Sequence, residues 1–335
     1  MPDPTLSEAE IRPDELMEEQ ARRYAADVAW LLERRERFQP VACPACGADD
    51  GEQIWDKYTL TYLACRGCAS VYVSPRPTPD LLDEYYRSST NYEYWNEVIF
   101  PASEDVRREK IFRPRAERVV ELAKRHGGRT RTLVDVGAGF GTFCEEITRL
   151  GVYDRVIAVE PEPHLAATCR GKGIETVEAP IEAADLPDDV DAVTSFEVVE
   201  HLFSPKAFLS RCADVLSPGG LVSVTCPNVK GFDVVVLGAL SATVDAEHLN
   251  YLHPESLGQL LEQSGFDVVE RLTPGKLDAE LVRKHALAGT LSLDDQPFLR
   301  QVLVDDWDRV GTAFQEFLAS AGLSSNMWLM GRRRG

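Results

Sequence analysis

The sequence lacks any apolar run of the roughly 18 residues that a membrane-spanning helix requires. Its first stretch, MPDPTLSEAEIRPDE, is acidic and has neither the basic start nor the apolar centre of a secretory signal peptide. These two absences argue against a membrane protein and against a secreted one. We therefore expect a soluble protein with a cytoplasmic location.

Basic residues are also scarce. The chain has 36 Lys and Arg against 55 Asp and Glu, which gives a formal net charge of -19. A surface of this sign repels nucleic acid unless its basic residues are gathered on one face, and only Arg332–Arg334 form a basic run. The charge argues against a nucleic-acid ligand. It favours a small molecule, a glycan, or a ligand carried on another protein.

The eight cysteines fall into two groups. Four form two C-x2-C pairs, Cys43 with Cys46 and Cys65 with Cys68, and eighteen residues separate the pairs. This spacing is typical of a zinc ribbon, in which four thiolates complete the tetrahedron of a structural Zn2+. Residues 53–57 and 61–64 are predicted to form the hairpin between the pairs. The remaining thiols are predicted to be single and buried: Cys144, Cys169, Cys212 and Cys226.

The stretch from Leu133 to Ile147, LVDVGAGFGTFCEEI, combines a strand, a glycine-rich turn and a helix. Its first residues are largely apolar and predict a short buried strand. The residues from Phe143 onwards have helical periodicity. A strand, glycine turn and helix in this order form the entry to a nucleotide-type site in an open α/β sheet.

Two kinds of ligand could occupy this turn. The dinucleotide fingerprint is G-x-G-x-x-G, which places a pyrophosphate at the helix N-terminus. Here the glycines follow G-x-G-x-G, and Asp135 precedes the first of them by two residues. A carboxylate facing the turn would repel a pyrophosphate and would suit a ligand with an ammonium group. The next predicted strand, residues 155–159, ends at Glu160, where an acidic residue can accept bonds from ribose hydroxyls.

Four motifs carry a family resemblance: DVGAGFG, VIAVEPEP, DAVTSFEVVEHL and LSPGGLVSVTCPN. In this order they resemble the class I S-adenosylmethionine (SAM)-dependent methyltransferases, over about residues 110–275. The resemblance implies a Rossmann-like α/β sheet of seven strands, with the last two strands forming an antiparallel edge. The SAM contacts that it implies are Asp135, Gly137, Ala138, Gly139, Phe140 and Gly141 for the methionine end, Glu160 and Pro161 for the ribose, Glu182 with Asp185 as its rival for the adenine, and the backbone carbonyls of Ser195 and Phe196.

We predict five segments. They are an N-terminal helical segment over 1–40, a zinc ribbon over 41–84, a SAM-binding core over 85–276, a helical insertion over 277–323, and a last core strand over 324–335.

Several segments keep two interpretations. The insertion either covers the active site or mediates formation of a homodimer. The first segment is predicted to form one or two helices over 7–38, for packing or oligomerisation. The aromatic cluster between Tyr85 and Trp95 is interpreted as packing between modules in preference to a lid over the ligand. Residues 104–126 are predicted as a long helix, and residues 229–242 as an irregular flap on the substrate side.

Two hypotheses concern the chemistry after the fourth predicted strand. A hydroxyl acceptor must lose a proton, and His201 is the candidate base, its alternative role being to order the turn. The set Glu197, Glu200, His201 and His248 also resembles the divalent-metal motif of the 2'-O-methyltransferases of small-RNA 3' ends, and ubiquinone-pathway O-methyltransferases have a similar segment. This resemblance implies a site for Mg2+, Mn2+ or Zn2+. In the alternative interpretation no metal binds and Glu200 faces the core.

The ribbon, the SPRPTP connector and the segment EHLNYLHPESL resemble a bacterial group from surface-polysaccharide and secondary-metabolite clusters. The leading hypothesis is O-methylation of a sugar or metabolite hydroxyl. One alternative is C-methylation of a nucleotide-linked keto-sugar, although such enzymes have a longer region after the core than residues 273–335 provide. A second alternative is an rRNA methyltransferase, which the charge opposes. In a third, the ribbon is a protein-docking module.

Overall fold

The computed structural model describes residues 6–335. Residues 1–5 of the predicted N-terminal segment lie outside the described residues. From Leu6 onwards the chain forms a helical start, a small antiparallel sheet, a large mixed sheet and a helical insertion before the last strand. No helix within residues 6–335 has both the length and the apolar character to cross a membrane.

The N-terminal segment consists of α1 (Glu8–Ile11), α2 (Asp14–Leu32) and a short strand β1 (Phe38–Gln39). The Ser7 N–H donates to the Glu10 carboxylate at 2.9 Å, which stabilises the first turn of α1. Pro13 separates the two helices because it has no N–H to continue α1. Of the one or two helices predicted over 7–38 the structure has two, and the second ends at Leu32, earlier than predicted.

The ribbon is an antiparallel sheet of β2 (Gly51–Lys57), β3 (Leu60–Cys65) and β4 (Val71–Val73). The first two strands are the predicted hairpin. A short strand, β5 (Arg76–Pro77), lies within the predicted extended connector and pairs with β1. The connector therefore ties the ribbon to the N-terminal segment.

A helical region follows, comprising α3 (Pro79–Ser88), α4 (Thr90–Tyr94), α5 (Phe100–Arg107) and α6 (Arg113–Arg125). π-helical turns at Trp95–Ile99 and Arg108–Phe112 join the last three helices. The long helix predicted to begin at residue 104 thus begins earlier, near Thr90. Asp27 of α2 explains this start, because its carboxylate accepts from the Ser89 hydroxyl at 2.7 Å and the Asn91 N–H at 2.8 Å.

The first half of the core alternates strands and helices: β6 (Thr132–Val136), α7 (Thr142–Arg149), β7 (Arg155–Val159), α8 (Pro163–Gly171), β8 (Glu175–Val177), β9 (Val190–Phe196), α9 (Pro205–Val215) and β10 (Leu216–Pro227). The second half comprises α10 (Phe232–Leu237), β11 (Asn250–Tyr251), α11 (Pro254–Gln263), β12 (Phe266–Leu272), α12 (Asp278–Leu287), α13 (Pro297–Arg300), α14 (Trp307–Ser320) and β13 (Asn326–Arg333).

Seven strands form the large sheet in the order β12-β13-β10-β9-β6-β7-β8. The strands from β6 to β10 are parallel, and β13 runs antiparallel to both β10 and β12. All five residues of β6 are buried, as a central strand covered on both faces requires. The predicted class I sheet with its antiparallel edge is confirmed.

Two parts of the second half differ from the predictions. Residues 232–237 form a helix in the region predicted to be irregular. The Ser241 hydroxyl donates to Asp233, in the first turn of this helix, at 2.9 Å. Strand β11 pairs with β4 and extends the ribbon sheet to four strands. The predicted helical insertion is helical, and it packs on α10 through a contact of Phe232 with Phe314, whose ring centroids lie 5.2 Å apart.

Candidate functional site

The glycine turn after β6 has three residues with left-handed backbone, Gly137, Gly139 and Gly141, with φ of +76°, +54° and +69°. A Cβ atom at Gly137 would lie 2.6 Å from Val198, and one at Gly141 would lie 2.5 Å from Ile174. These two glycines allow close packing of the turn. A Cβ at Gly139 would meet no atom within 4 Å, so this position faces open space that a ligand could occupy.

Glu160 lies where the sequence predicts, directly after β7. Its carboxylate is 6% exposed and accepts the Gly139 N–H at 2.8 Å and the Glu162 N–H at 3.0 Å. Burial is the largest cause that raises the pKa of Glu160, to about 7. Glu160 thus contacts Gly139, the glycine of the turn that faces open space.

Asp135 differs from its predicted orientation. Its carboxylate is 3% exposed, and it faces β9, where it accepts from the Thr194 hydroxyl at 2.7 Å. Burial raises the pKa of Asp135 to about 6, partly offset by this hydrogen bond. In the ligand-free structure the carboxylate therefore joins two strands beneath the turn and does not project into it.

The other predicted SAM contacts lie along the same edge of the sheet. Ser195 and Phe196 end β9, and Pro161 follows Glu160. Glu182 is exposed in a 3₁₀ turn over Ile181–Ala183, and its rival Asp185 is exposed two residues after that turn. Their roles stay predictions.

Phe140 of the turn stacks on Phe100 of α5, with ring centroids 3.8 Å apart and planes 8° apart. The helical region before the core therefore covers the glycine turn. Tyr85 of the aromatic cluster packs in the interior and is 2% exposed, whereas Tyr92 and Trp95 line a cavity next to the turn. The two interpretations of the cluster apply to different residues within it.

A cavity of about 1210 Å3 adjoins Phe140. Its wall includes Tyr24 and Val28 of α2, and Leu277 and Leu281 of the insertion. The N-terminal helix therefore contributes to the cavity as well as to packing. The insertion contributes to it from the opposite end of the chain.

Glu200, His201 and His248 converge at one wall of this cavity, with one ligand atom from each residue lying within 4.8 Å of the others. Glu200 is 1% exposed, and its Oε2 has no hydrogen-bond partner among residues 6–335. His248 Nδ1 lies 2.8 Å from the Thr243 carbonyl, and His201 Nδ1 lies 3.3 Å from the Tyr86 hydroxyl. His201 has a further hydrogen-bond partner in the Glu247 backbone.

Glu197 is not part of this cluster, which corrects the predicted set of four metal ligands. Its backbone is left-handed, with φ of 58°, and this conformation turns the side chain towards β10 and β13. There its carboxylate accepts from the Thr225 hydroxyl at 2.6 Å and from the Asn326 amide at 3.0 Å.

Burial sets the charge state of the cluster. It lowers the pKa of His201 well below the ordinary value, with nearby His248 as a second cause. It also raises the pKa of Glu200 well above the ordinary value, with Glu197 adding to the effect. Burial thus favours the uncharged form of both side chains.

The four predicted zinc ligands converge, each sulfur lying within 4.8 Å of the others. The Sγ atoms of Cys43 and Cys68 are 3.5 Å apart, as are those of Cys46 and Cys65. A tetrahedral site with a Zn–S distance of about 2.3 Å separates its sulfurs by about 3.8 Å, so the thiols fit a zinc ion. None of the eight cysteines, all within the described residues, forms a disulfide.

The two C-x2-C turns have the same backbone geometry. The Gly47 N–H donates to the Cys43 carbonyl at 2.8 Å, and the Ala69 N–H donates to the Cys65 carbonyl at 2.8 Å. Both donors are left-handed, with φ of 78° at Gly47 and 60° at Ala69. The fold thus directs the thiols of each pair to a common point.

Arg76 links the ribbon to the candidate active site, and sequence reasoning missed it. The side chain is 0% exposed, and its guanidinium donates to the carbonyls of Val73, Phe203 and Leu249 at 2.9–3.1 Å and to the Asn250 side chain at 3.0 Å. These acceptors belong to the ribbon and to the segments that hold His201 and His248. An arginine between two prolines gave no signal of burial.

The motifs, the sheet order and the glycine turn define a class I SAM-dependent methyltransferase fold. Residues 107–271 match the family described as a methyltransferase domain. The chain therefore contains a methyltransferase domain of this class.

The chain is similar to two proteins named ubiquinone biosynthesis O-methyltransferase. The one from Bradyrhizobium sp. (strain ORS 278) is 39% identical over 115 residues, which are 32% of this chain and 45% of the relative. The one from Dinoroseobacter shibae is 33% identical over 154 residues, which are 42% of this chain and 61% of the relative. The chain thus spans about half the length of these relatives. A solved structure, the 1,6-didemethyltoxoflavin-N1-methyltransferase of Burkholderia thailandensis, superposes with a TM-score of 0.48 at 14% identity, over 85% of this chain and 100% of that one.

Proposed function

We propose that this chain transfers the methyl group of SAM to a hydroxyl oxygen of a small molecule. One observation carries the proposal: the glycine turn and the Glu200–His201–His248 cluster adjoin a single cavity, through Phe140 on one side and His201 on the other. A donor site and a group able to accept a proton therefore share one cavity. The names of the relatives support oxygen as the acceptor atom.

The donor fits the turn on the geometry of this chain. Gly139 offers open space beside its backbone, and Glu160 sits next to it with a buried carboxylate. We assign the methionine end to residues 137–141, which Asp135 supports from beneath, the ribose to Glu160 and Pro161, and the adenine to Glu182 or Asp185. When bound, SAM supplies a methyl group that its sulfonium already activates. The protein then has to orient the acceptor and exclude water.

His201 is the proposed base in a metal-free reaction. Burial favours the neutral form of its imidazole, which is the form that can accept the acceptor's proton, and the Tyr86 hydroxyl and the Glu247 backbone orient the ring. The same burial weakens the base. Such a group typically contributes about 10²–10⁴-fold to the rate.

A divalent cation is the alternative use of the same side chains. Glu200, His201 and His248 would hold it, and the Thr243 carbonyl would orient His248 as carbonyls commonly orient ligating imidazoles. Two imidazoles with one carboxylate suit Mn2+ or Zn2+ better than Mg2+, which prefers oxygen ligands. A cation here would supply Lewis-acid stabilisation of the acceptor's oxygen. The two roles exclude each other, because ligating imidazoles cannot accept a proton.

We propose a sugar or other metabolite hydroxyl as the acceptor. The cavity wall combines aromatic side chains, among them Tyr92, Trp95 and Phe100, with the polar cluster. Aromatic faces suit a ring, and the cluster suits a hydroxyl. The insertion contributes Leu277 and Leu281 to the cavity wall. This supports the proposal that it covers the active site and does not mediate formation of a homodimer.

We propose that the ribbon has a structural role and is not a protein-docking module. Its sheet includes β11 from the core, and Arg76 joins it to both active-site segments. A fragment of this size has little core of its own, so metal binding would supply much of its stability.

The function is tested by a methyl-transfer screen with labelled SAM against sugar, nucleotide-sugar and phenolic pools. We expect label in an acid-stable ether of a hydroxyl compound, at a rate that falls at least about 100-fold in His201→Ala. Label on carbon would instead support the keto-sugar alternative. Transfer to RNA alone would contradict the proposed acceptor class.

A further inference from the structure

Two inward-facing arginines of this protein have opposite surroundings. Arg76 donates to three backbone carbonyls and to one side-chain oxygen. The Arg115 side chain is 15% exposed, lines the cavity, and makes no hydrogen bond within the described part of the chain. A guanidinium has five N–H donors, and leaving them without acceptors in a protected site is costly. The contrast indicates that the acceptors for Arg115 come from a ligand.

The nearest carboxylate does not satisfy the N–H groups of Arg115. The nearest oxygen of Glu197 is 3.6 Å away and already accepts from Thr225 and Asn326. The guanidinium also lies over the Phe196 ring, 4.5 Å from its centroid. Stacking of this kind covers a face of the guanidinium plane and leaves the N–H groups at its edge to bind an anion.

Arg118 places a second positive charge on the same wall. It lies three residues further along α6, and residues at this spacing share a helix face. Arg118 lines the cavity and has neither a hydrogen bond nor an ion pair to any of residues 6–335. Two like charges on one helix face destabilise the helix unless an anion lies between them. In a chain of net charge -19, their position inside a cavity needs an explanation.

The basic side chains of the cavity adjoin its acidic cluster. Glu200 lies beside His201, and Arg115 of α6 is close enough to Glu200 to interact with it electrostatically. A molecule whose hydroxyl lies at His201 can therefore place an anionic group at Arg115, with Arg118 three residues further along the same helix.

We propose that Arg115 and Arg118 together bind a carboxylate or phosphate group of a small molecule in this cavity. The inference rests on the proposed function and narrows the acceptor to a hydroxyl compound that carries an anionic group. The amino-acid carboxylate of SAM offers the same chemistry, so the test must separate the two sources.

The test uses calorimetry on the full-length protein and on three variants, Arg115→Met, Arg118→Met and Arg125→Met. The last is the matched control, because Arg125 is on the same helix but pairs with Glu121 outside the cavity. The probes are inorganic pyrophosphate, titrated with and without S-adenosylhomocysteine, and separately S-adenosylhomocysteine and methylthioadenosine, which lacks the amino-acid carboxylate. Thermal melting verifies that each variant is folded.

We expect pyrophosphate to bind and its affinity to fall at least about tenfold in Arg115→Met and Arg118→Met but not in Arg125→Met. A loss of S-adenosylhomocysteine affinity in Arg115→Met, with methylthioadenosine unaffected, would support the site and assign its anion to the donor. Unchanged affinities for all probes in folded variants would overturn the proposal. If the wild type bound no S-adenosylhomocysteine, the proposed function would fail, while pyrophosphate alone would still test the arginines.

Discussion

The two clusters of potential metal ligands in this protein are built in different ways. The cysteine cluster joins two turns of the same geometry, and its four thiols enclose one point. The Glu200–His201–His248 cluster joins a turn after β9 to a segment more than forty residues later, and it faces a large cavity. A closed set of four thiolates leaves no position for a substrate, whereas three ligands at a cavity wall do. The first cluster is suited to holding the fold together and the second to chemistry.

The clusters are also connected. Arg76 and Asn250 join the ribbon to the backbone around Glu200, and the Asn250 amide donates to the carbonyls of Val199 and Leu202 at 3.0 Å and 2.7 Å. His253 Nε2 lies 2.7 Å from the Cys68 carbonyl. The comparison therefore predicts that damage to the ribbon reaches the second cluster, whereas damage to the second cluster leaves the ribbon intact.

The largest effect is expected from removing a ribbon ligand. Cys65→Ser should lose the bound zinc and several kcal/mol of stability, because metal binding supplies much of the folding free energy of such a module. Zinc content and thermal unfolding measure this. The control Cys212→Ala, at a buried thiol outside the ribbon, should keep its zinc and lose about 1 kcal/mol. A Cys65→Ser variant as stable and active as the wild type would show that the ribbon is dispensable.

The second cluster should show the reverse pattern. His248→Ala and Glu200→Gln should lower the rate of methyl transfer about 100-fold or more, while the zinc of the cysteine ribbon is retained. Brief treatment with a chelator, followed by Mn2+, separates the two roles of the cluster. Restoration by Mn2+ supports a cation, and full activity in chelator excludes the cation and leaves His201 as the base. Glu197→Gln should weaken cation binding much less than Glu200→Gln, since the Glu197 carboxylate is held by Thr225 and Asn326 and acts on Glu200 only through its charge.

A smaller effect concerns the buried carboxyls of the donor site, which belong to neither cluster. Asp135 and Glu160 have pKa values of about 6 and about 7 in the folded protein, above the ordinary values of 3.8 and 4.5. The folded state thus binds more protons than the unfolded state. The stability that the two carboxyls contribute is therefore present below about pH 4 and is lost as the pH rises to about 7.

We therefore expect the melting temperature of the ligand-free protein to fall by a few degrees between about pH 5 and pH 8. SAM should restore more of the stability at the higher pH, because its cationic group favours ionised carboxylates. Asp135→Asn should reduce the pH dependence. A melting temperature that rises across this range in the wild type would contradict the assignment.

The smallest effect tests the paired turns of the ribbon. Gly47→Ala should cost about 1 kcal/mol because a left-handed residue with a Cβ is strained, although the space beside it is open. Zinc content should not change, since Ala69 holds the equivalent position in the other turn. Ala69→Gly should change the stability by less than about 0.5 kcal/mol. Loss of zinc from Gly47→Ala would show that the two turns are not equivalent.

The predictions from sequence succeeded where a pattern is local. The C-x2-C pairs, the glycine turn and the strands of the core depend on neighbouring residues, and the structure has them close to the predicted bounds. Glu197 was assigned wrongly because its side-chain direction depends on a left-handed backbone and on partners from β10 and β13. Arg76 was missed for the same reason, since its acceptors lie up to 174 residues away in the chain.

Binding of the donor product tests the central claim most directly. Calorimetry should show one S-adenosylhomocysteine bound per chain in the wild type, and strongly weakened binding in Gly139→Asn, whose side chain would fill the open space beside Glu160. Asparagine tolerates the left-handed backbone of this position, and thermal melting verifies that the variant is folded. Tight binding of NADH with no response to S-adenosylhomocysteine would contradict the account.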